Sequence, residues 1–487
     1  MHHRKVAVVK RGVDGYPWAA PFDPDTHYPE YPFSQVRLAP NPVYDMVRQS
    51  LWDLELDSAH RGTPNWNPLR EFAEEGQRIV IKPNFALDYN QAFRGRAALA
   101  AVVTVGSVLR PVIDYAFKAC GPRGRILVCD TPLQNEVSVH LFDNIAALMG
   151  ARDTVTALRA RGVPVELLDL RSQVRMTTRL GFWRTVRLSG DPLGYVQFDL
   201  GAASAFEGCR RPDQLETNDW ENVSRYHTSG RHLYSVSRSI LSADLVISVP
   251  KLKVHKKTGL TVALKNMFAI SNRKDWIPHW TRGVDDQQAV RSGLDRALKW
   301  GWSHAMARPL ARFLTRRVFR LTLDGHGNSA ENDTTWRGVL DLNRILLYGD
   351  TSGKLHPTPR RRTFAIVDGI IAGEGLGPLA PRPRHFGAIL AGADFVEVDI
   401  VCAQLMQLNP QRIPMLVRAV EAAQLPITRC KMQALEPVQD LWPLSEPFEL
   451  PPGWEVVRLA ADLSLANTPG SRTLAMGSPQ PGSLESA

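Results

Sequence analysis

The stretch from Ser242 to Ile270, SADLVISVPKLKVHKKTGLTVALKNMFAI, decides the fold. Leu245 to Val249 is a short apolar run rich in β-branched residues, the pattern of a buried strand. Pro250 is expected to end it, because proline has no N–H to give to a sheet ladder. Lys251, Lys253, His255, Lys256 and Lys257 follow at once and read as a charged turn. Gly259 breaks the chain, and Thr261 to Phe268 predicts a helix with Lys265 and Asn266 among apolar neighbours. A buried strand that delivers lysines and a histidine to its C-terminal end suits an open parallel sheet, where ligands bind outside the carboxyl ends of the strands. The competing reading is a solvated basic turn. Lys265 and Asn266 weigh against it, since polar groups inside an apolar helix need buried partners.

Working outward, Arg78 to Lys82 (RIVIK) predicts a second buried strand that ends at Pro83 and Asn84. Arg125 to Cys129 (RILVC) predicts a third, ending at Asp130. Between them, Leu99 to Cys120 has helical periodicity and is stopped by Gly121-Pro122, which makes a βαβ unit. Leu141 to Arg161 reads as a helix and Val163 to Leu170 as a strand. Alternation from Arg175 to about Thr217 predicts an antiparallel β insertion. His227 and His232 follow and are expected at the surface, as no tight metal spacing surrounds them. Phe364 to Val367 predicts a further strand, ended by Asp368-Gly369. The glycine run GEGLGP (373–378) is a poor dinucleotide loop, because prolines follow it and no helix start is available for a pyrophosphate. Glu374 within it reads as a substrate or metal contact. Ala388 to Leu390 predicts a strand, and Phe395 to Met406 a helix with Asp394, Glu397 and Asp399 near its positive end.

The expected fold class is α/β, with a mainly parallel sheet, flanking helices, a β-rich insertion and a basic helical insertion. The expected organisation is an irregular segment with one strand (1–75), an α/β core (76–275) with the β insertion near 171–217, a basic helical insertion (276–345), a second part of the core (346–460) and a disordered tail (461–487).

Composition narrows the function. The 59 basic and 49 acidic residues leave a net charge of +10, which favours anionic ligands or surfaces. Aromatic residues are not interleaved with basic ones on a strand face, so nucleic acid is not an expected partner. The five cysteines lie far apart and form no C-x-x-C pair, which argues against an iron–sulfur cluster or a thiolate zinc site. No apolar run approaches the ~20 residues of a membrane span, and the N-terminus lacks a signal-peptide pattern. The expected location is cytoplasmic. The segment 291–320 is basic with an apolar face, so peripheral contact with the inner membrane is also expected to be open to it.

Taken together and in order, IKPN (81–84), CDTP (129–132), ADLVISVPKLKVHKKTGLTVALKNMF (243–268), DGIIAGEGLGP (368–378) and AGADFVEVD (391–399) resemble domain of unknown function family 362 from about residue 78 to about 410. YHTSGRHLYSVSRS (226–239), DWIPHW (275–280) and NDTTWRGVLDLNRILLY (332–348) resemble a ferredoxin-free branch, which implies a setting in surface-polysaccharide biosynthesis. The order of His255, a glycine and then Lys265 is similar to the N-terminal domain of nickel-pincer lactate racemase. That similarity implies an acid/base histidine and a cofactor-anchoring lysine, although Ala263-Leu264 stand where that family has a glycine pair.

The expected site therefore gathers strand-end residues into one cleft. His255, Lys265 and Lys253 are its catalytic candidates; Lys82, Asn84, Lys251, Asn266 and Glu374 would bind substrate. Asp130 and Asp368 would hold a divalent metal, magnesium or manganese suiting oxygen ligands. The expected function is an enzyme acting on an anionic or carbonyl-bearing small molecule or glycan precursor. The alternative is a non-catalytic adaptor that binds anionic lipid through 291–320.

Overall fold

The computed structural model describes residues 6–135, 137–177, 182–209, 211–217, 222–282, 327–436 and 445–459. Its centre is a nine-stranded sheet. The strands are β1 (Val6–Lys10), β2 (Arg78–Pro83), β3 (Arg125–Asp130), β4 (Val165–Asp169), β5 (Leu245–Val249), β6 (Lys251–His255), β7 (Gly259–Thr261), β8 (Arg362–Leu376) and β9 (Ala380–Gly392). The spatial order is β1-β9-β8-β5-β2-β3-β4, with β6 pairing β7 and β8. From β8 through β5, β2 and β3 to β4 every pairing is parallel, while β9 runs antiparallel to β8, and β1 to β9. This is an α/β fold with a mainly parallel sheet.

Strand alternation explains the layering. Leu245, Ile247 and Val249 of β5, with Ile79 and Ile81 of β2, pack into one core. Helices α1 (Pro42–Asp53), α2 (Gly106–Cys120), α3 (Leu141–Leu148) and α4 (Ala151–Ala160) cover that face through residues such as Met46, Val108, Leu141 and Leu158. Val246 and Val80 point the other way, into a core closed by α5 (Ala263–Asn266), α6 (Thr335–Tyr348) and α7 (Phe395–Leu405). Residues two apart share a face, so a strand apolar at every position must be covered on both sides.

Several expectations are corrected. The stretch after Pro250 is not a turn. Lys251–His255 is a strand buried at every position, with Leu252 and Val254 in the core. Its signal was the alternation Lys-Leu-Lys-Val-His, which puts the three ionisable residues on one face. Pro250 bends the chain without ending the sheet, and its carbonyl accepts the N–H of Asp368 at 2.9 Å. Gly259 turns β6 into β7 at φ +82°, where a Cβ would sit 2.8 Å from the Trp454 ring; glycine alone suits both demands.

Asp368-Gly369 does not end β8 either. The strand runs on through the glycines to Leu376, pairing with β9 as a long hairpin. The helix expected from Leu99 begins at Gly106, after a separate short helix Arg96–Ala100. That expected over Leu141–Arg161 is split at Gly150, which has φ +75°. In the β insertion, Gln173–Thr177 pairs with Trp183–Arg187, and Tyr195–Asp199 pairs with Arg231–Ser237. Segment 291–320 and the tail 461–487 lie outside the described residues. Among the described residues no helix is long and apolar enough to cross a membrane.

Candidate functional site

The sequence-derived candidates divide into three groups. The first is closed. Lys251 on β6 meets Asp368 on β8 at 2.6 Å, both fully buried. Tyr16 completes the group: its hydroxyl donates to Asp368 at 2.5 Å, while accepting from Lys251 at 2.7 Å and from the Ile371 N–H at 3.0 Å. The Val105 N–H also donates to Asp368, at 3.2 Å. Burial pushes Lys251 down to about 8, and Asp368 opposes that shift. Every polar atom here is used internally, so this group braces the sheet.

The second group gathers at the ends of β2, β3 and β6 beneath α5. Lys82 is fully buried and bonds Asp130 at 2.5 Å and the Pro83 carbonyl at 3.1 Å. Asp130 also accepts the N–H groups of Phe85 and Thr131. Lys253 donates to the Val102 carbonyl at 2.5 Å and to Asn84 Oδ1 at 3.1 Å. Asn84 in turn donates to Asn266, whose own amide donates to the Lys82 carbonyl at 2.8 Å and to Ser248 at 3.1 Å. Asn266 is thus the buried polar tie between α5 and the sheet. Asp399 of α7 accepts the N–H groups of Ala263 and Leu264, which holds the start of α5 in place.

Lys265 differs from its neighbours. It is half-buried, and its Nζ lies 3.9 Å from the centre of the Phe268 ring. Among the described residues no carboxylate or carbonyl meets it. Burial, with Lys82 nearby, pushes it down to about 7. Lys274, absent from the sequence reading of the site, joins this group. Its Nζ donates to the carbonyls of Thr131 and Pro132, and burial brings it to about 7 against the opposing pull of Asp130.

Two imidazoles flank the lysines with opposite tautomers. His255 Nδ1 accepts the Lys257 N–H at 3.0 Å, which leaves the proton on Nε2. His279 Nδ1 lies 2.9 Å from the Ile277 carbonyl and must donate to it, which leaves Nε2 as a bare acceptor. Burial, then Lys265, Lys253, Lys257 and Lys256, holds His255 well below the usual histidine range. Burial, Lys257 and Lys265 bring His279 to about 3. Both rings are neutral near pH 7, one offering a donor and the other an acceptor. His279 also escaped the sequence reading: nothing in the local pattern of DWIPHW shows that it returns to α5, where its ring sits 5.6 Å from Phe268.

Glu374 forms the third group, apart from the lysines. Arg382 and Arg384 bond its two oxygens at 2.8 and 3.0 Å, and the Glu449 N–H adds a further bond. It lines a surface cavity of about 810 Å³ with Arg382, Arg384, Phe448 and Arg458. Glu374→Gln is expected to cost about 1–3 kcal/mol by loosening this hairpin clamp, read as a lower melting temperature.

The residues expected to hold a metal do not fit one in this arrangement. Asp130 and Asp368 each already accept a lysine and backbone N–H bonds, and they belong to separate groups. A metal on His255 Nε2 would have to displace the proton that the Nδ1 contact fixes there. Among the described residues, the one cluster of three metal-ligating side chains is Asp394, Glu397 and Cys430. His227 and His232, expected at the surface, are buried at 0% and 2% exposure against Phe206.

A mainly parallel sheet, with partnered lysines at its strand ends and, among the described residues, one lysine on α5 that meets no carboxylate or carbonyl, defines an α/β protein. Residues 195–404 match the family model described as Domain of unknown function (DUF362). The match includes Lys251 to His279, Asp368 and Glu374, whereas Lys82, Asn84 and Asp130 precede it. A thylakoid-associated protein of Synechocystis sp. is 26% identical over 229 residues, which are 46% of this chain. The chain spans about half (50%) of that relative's length. A crystal structure of a Thermotoga maritima protein is 10% identical and covers 71% of this chain and 54% of its own, with a TM-score of 0.29.

Proposed function

We propose that this chain is an enzyme that acts on an anionic, carbonyl-bearing small molecule, a class that includes glycan precursors. One observation carries the reading: among the described residues Lys265 Nζ has no carboxylate or carbonyl partner, while Lys82, Lys253 and Lys274 each have one. A ligand anion supplies the missing partner. His255 Nε2–H then points a donor at an oxygen that gains negative charge, and His279 Nε2 accepts a proton. Lys82 and Lys253 act by fixing Asp130, Asn84 and Asn266 beneath the ligand.

Titration calorimetry with sulfate and with pyruvate tests the reading. Wild type is expected to bind both, and Lys265→Gln to bind about 10-fold or more weakly, the loss of one charge-assisted hydrogen bond. Equal binding by the two proteins removes Lys265 from the site.

A second reading is an adaptor on the membrane surface, and the similarity to a thylakoid-associated protein favours it. The basic segment 291–320 would make the contact, at roughly 1 kcal/mol per basic residue near an anionic surface. Flotation with vesicles of anionic lipid, in low and high salt, tests it; flotation that ignores lipid charge counts against it.

A further inference from the structure

We infer that Lys265 is a nucleophile that forms a Schiff base with a small carbonyl compound bearing a carboxylate, a 2-oxo acid being the simplest class. This rests on the anion-binding reading above and adds a covalent step to it.

The geometry supplies each requirement. Among the described residues no acceptor holds Lys265 Nζ, so its lone pair is free to attack once the proton leaves, and its amine lies against the Phe268 face. Lys253 and Lys274 lack this freedom, because their nitrogens are spent on backbone carbonyls. The carrier is rigid, as Asp399 fixes the start of α5 and Asn266 ties its end to β2 and β5. Lysines face Lys265 from several elements, Lys82 from β2, Lys253 from β6 and Lys274 from the segment beyond α5, together with the neutral imidazoles of His255 and His279. Asp130 is the carboxylate set among them. Such surroundings favour an amine over an ammonium, the same logic that activates lysines beside other cations. They also attract the carboxylate of the reactant.

The step balances without an oxidant or reductant. The Nζ lone pair bonds to the carbonyl carbon, and the C=O pair moves to oxygen beside His255 Nε2–H. His279 Nε2 takes a proton from the nitrogen and returns it to that oxygen, giving a carbinolamine. The C–O bond then breaks, the oxygen leaves as water with the second nitrogen proton, and the C=N bond forms. Amine and carbonyl become imine and water.

Reductive trapping on the full chain tests this. Pyruvate and sodium cyanoborohydride are added between pH 6 and 9, and adducts are located by peptide mass mapping. The expected result is an adduct at Lys265 that forms at least ~10-fold faster at pH 7 than at exposed Lys354 and Lys431, since a lysine brought to about 7 is about half unprotonated there. The Lys265 rate is expected to rise through pH 7, and His279→Asn to slow it. Labelling of Lys265 no faster than of Lys354 overturns the inference. If sulfate still binds in that case, the imine alone falls; if sulfate binding is absent as well, the anion-binding reading falls with it.

Discussion

Asp368→Ala is expected to destabilise the protein by about 3–5 kcal/mol, because it leaves the Lys251 ammonium buried without a counter-ion. Native stabilities run at about 5–15 kcal/mol, so this loss would remove a large share. Both side chains are at 0% exposure, and Tyr16 and the Val105 N–H lose the same acceptor. Chemical denaturation of the purified variant gives the value. The double variant Lys251→Met/Asp368→Ala is expected to recover much of it, since the uncompensated charge is gone. A single-variant cost near zero would show that Lys251 sheds its proton easily and that the pair braces nothing. The double variant separates the cost of the stranded charge from that of the lost Asp368 acceptors.

Anion binding is expected to weaken at least tenfold between pH 6 and pH 9. Lys265 and Lys274 are each brought to about 7, so above that value the cation proposed to meet the anion and the one beside it lose their charge. Sulfate suits the experiment, as its own charge does not change across the range. His255 and His279 stay neutral throughout, so they add no titration of their own. The stability of the unliganded protein moves the opposite way. Between about 7 and the unfolded lysine value of 10.5 the unfolded chain holds more protons, so stability rises with pH across that window. Below pH 7 both states are protonated, and the full penalty of the buried charges is present. Sulfate relieves that penalty, so its effect on the melting temperature is expected to be largest at pH 6 and small at pH 9. A sulfate effect that does not vary with pH would mean that other, exposed cations bind it.

Much of the α/β frame was legible in the chain. RIVIK, RILVC and LVISV are short β-branched runs, and each is a strand of the parallel sheet within a residue of its expected ends. Asp394 at the head of a helix is a cap that accepts the N–H groups of Val396 and Glu397. Such features depend on a few neighbouring residues, so local chemistry fixes them.

The site was legible only in part. Lysines and carboxylates at strand ends were visible, but their partners were not. Tyr16 and Asp368 are 352 residues apart, and only the packing of the first segment against β8 brings them together. That contact turns Lys251 and Asp368 from apparent ligands into a brace. KLKVH looked like a turn because its charges outweighed the two apolar residues between them, yet burial with remote partners makes it a strand. Glu374 was expected in one cleft with the lysines, but the pairing of β8 with β9 hands it to Arg382 and Arg384. Lys274 and His279 carry no local mark of their role. The sequence by itself determined the parallel strands β2, β3, β4 and β5 and that positive charge stands near strand ends of the sheet. The tertiary structure alone decided which of those charges is neutralised within the protein and which, Lys265, meets no carboxylate or carbonyl among the described residues, because a buried charge takes its meaning from partners that chain neighbours do not provide.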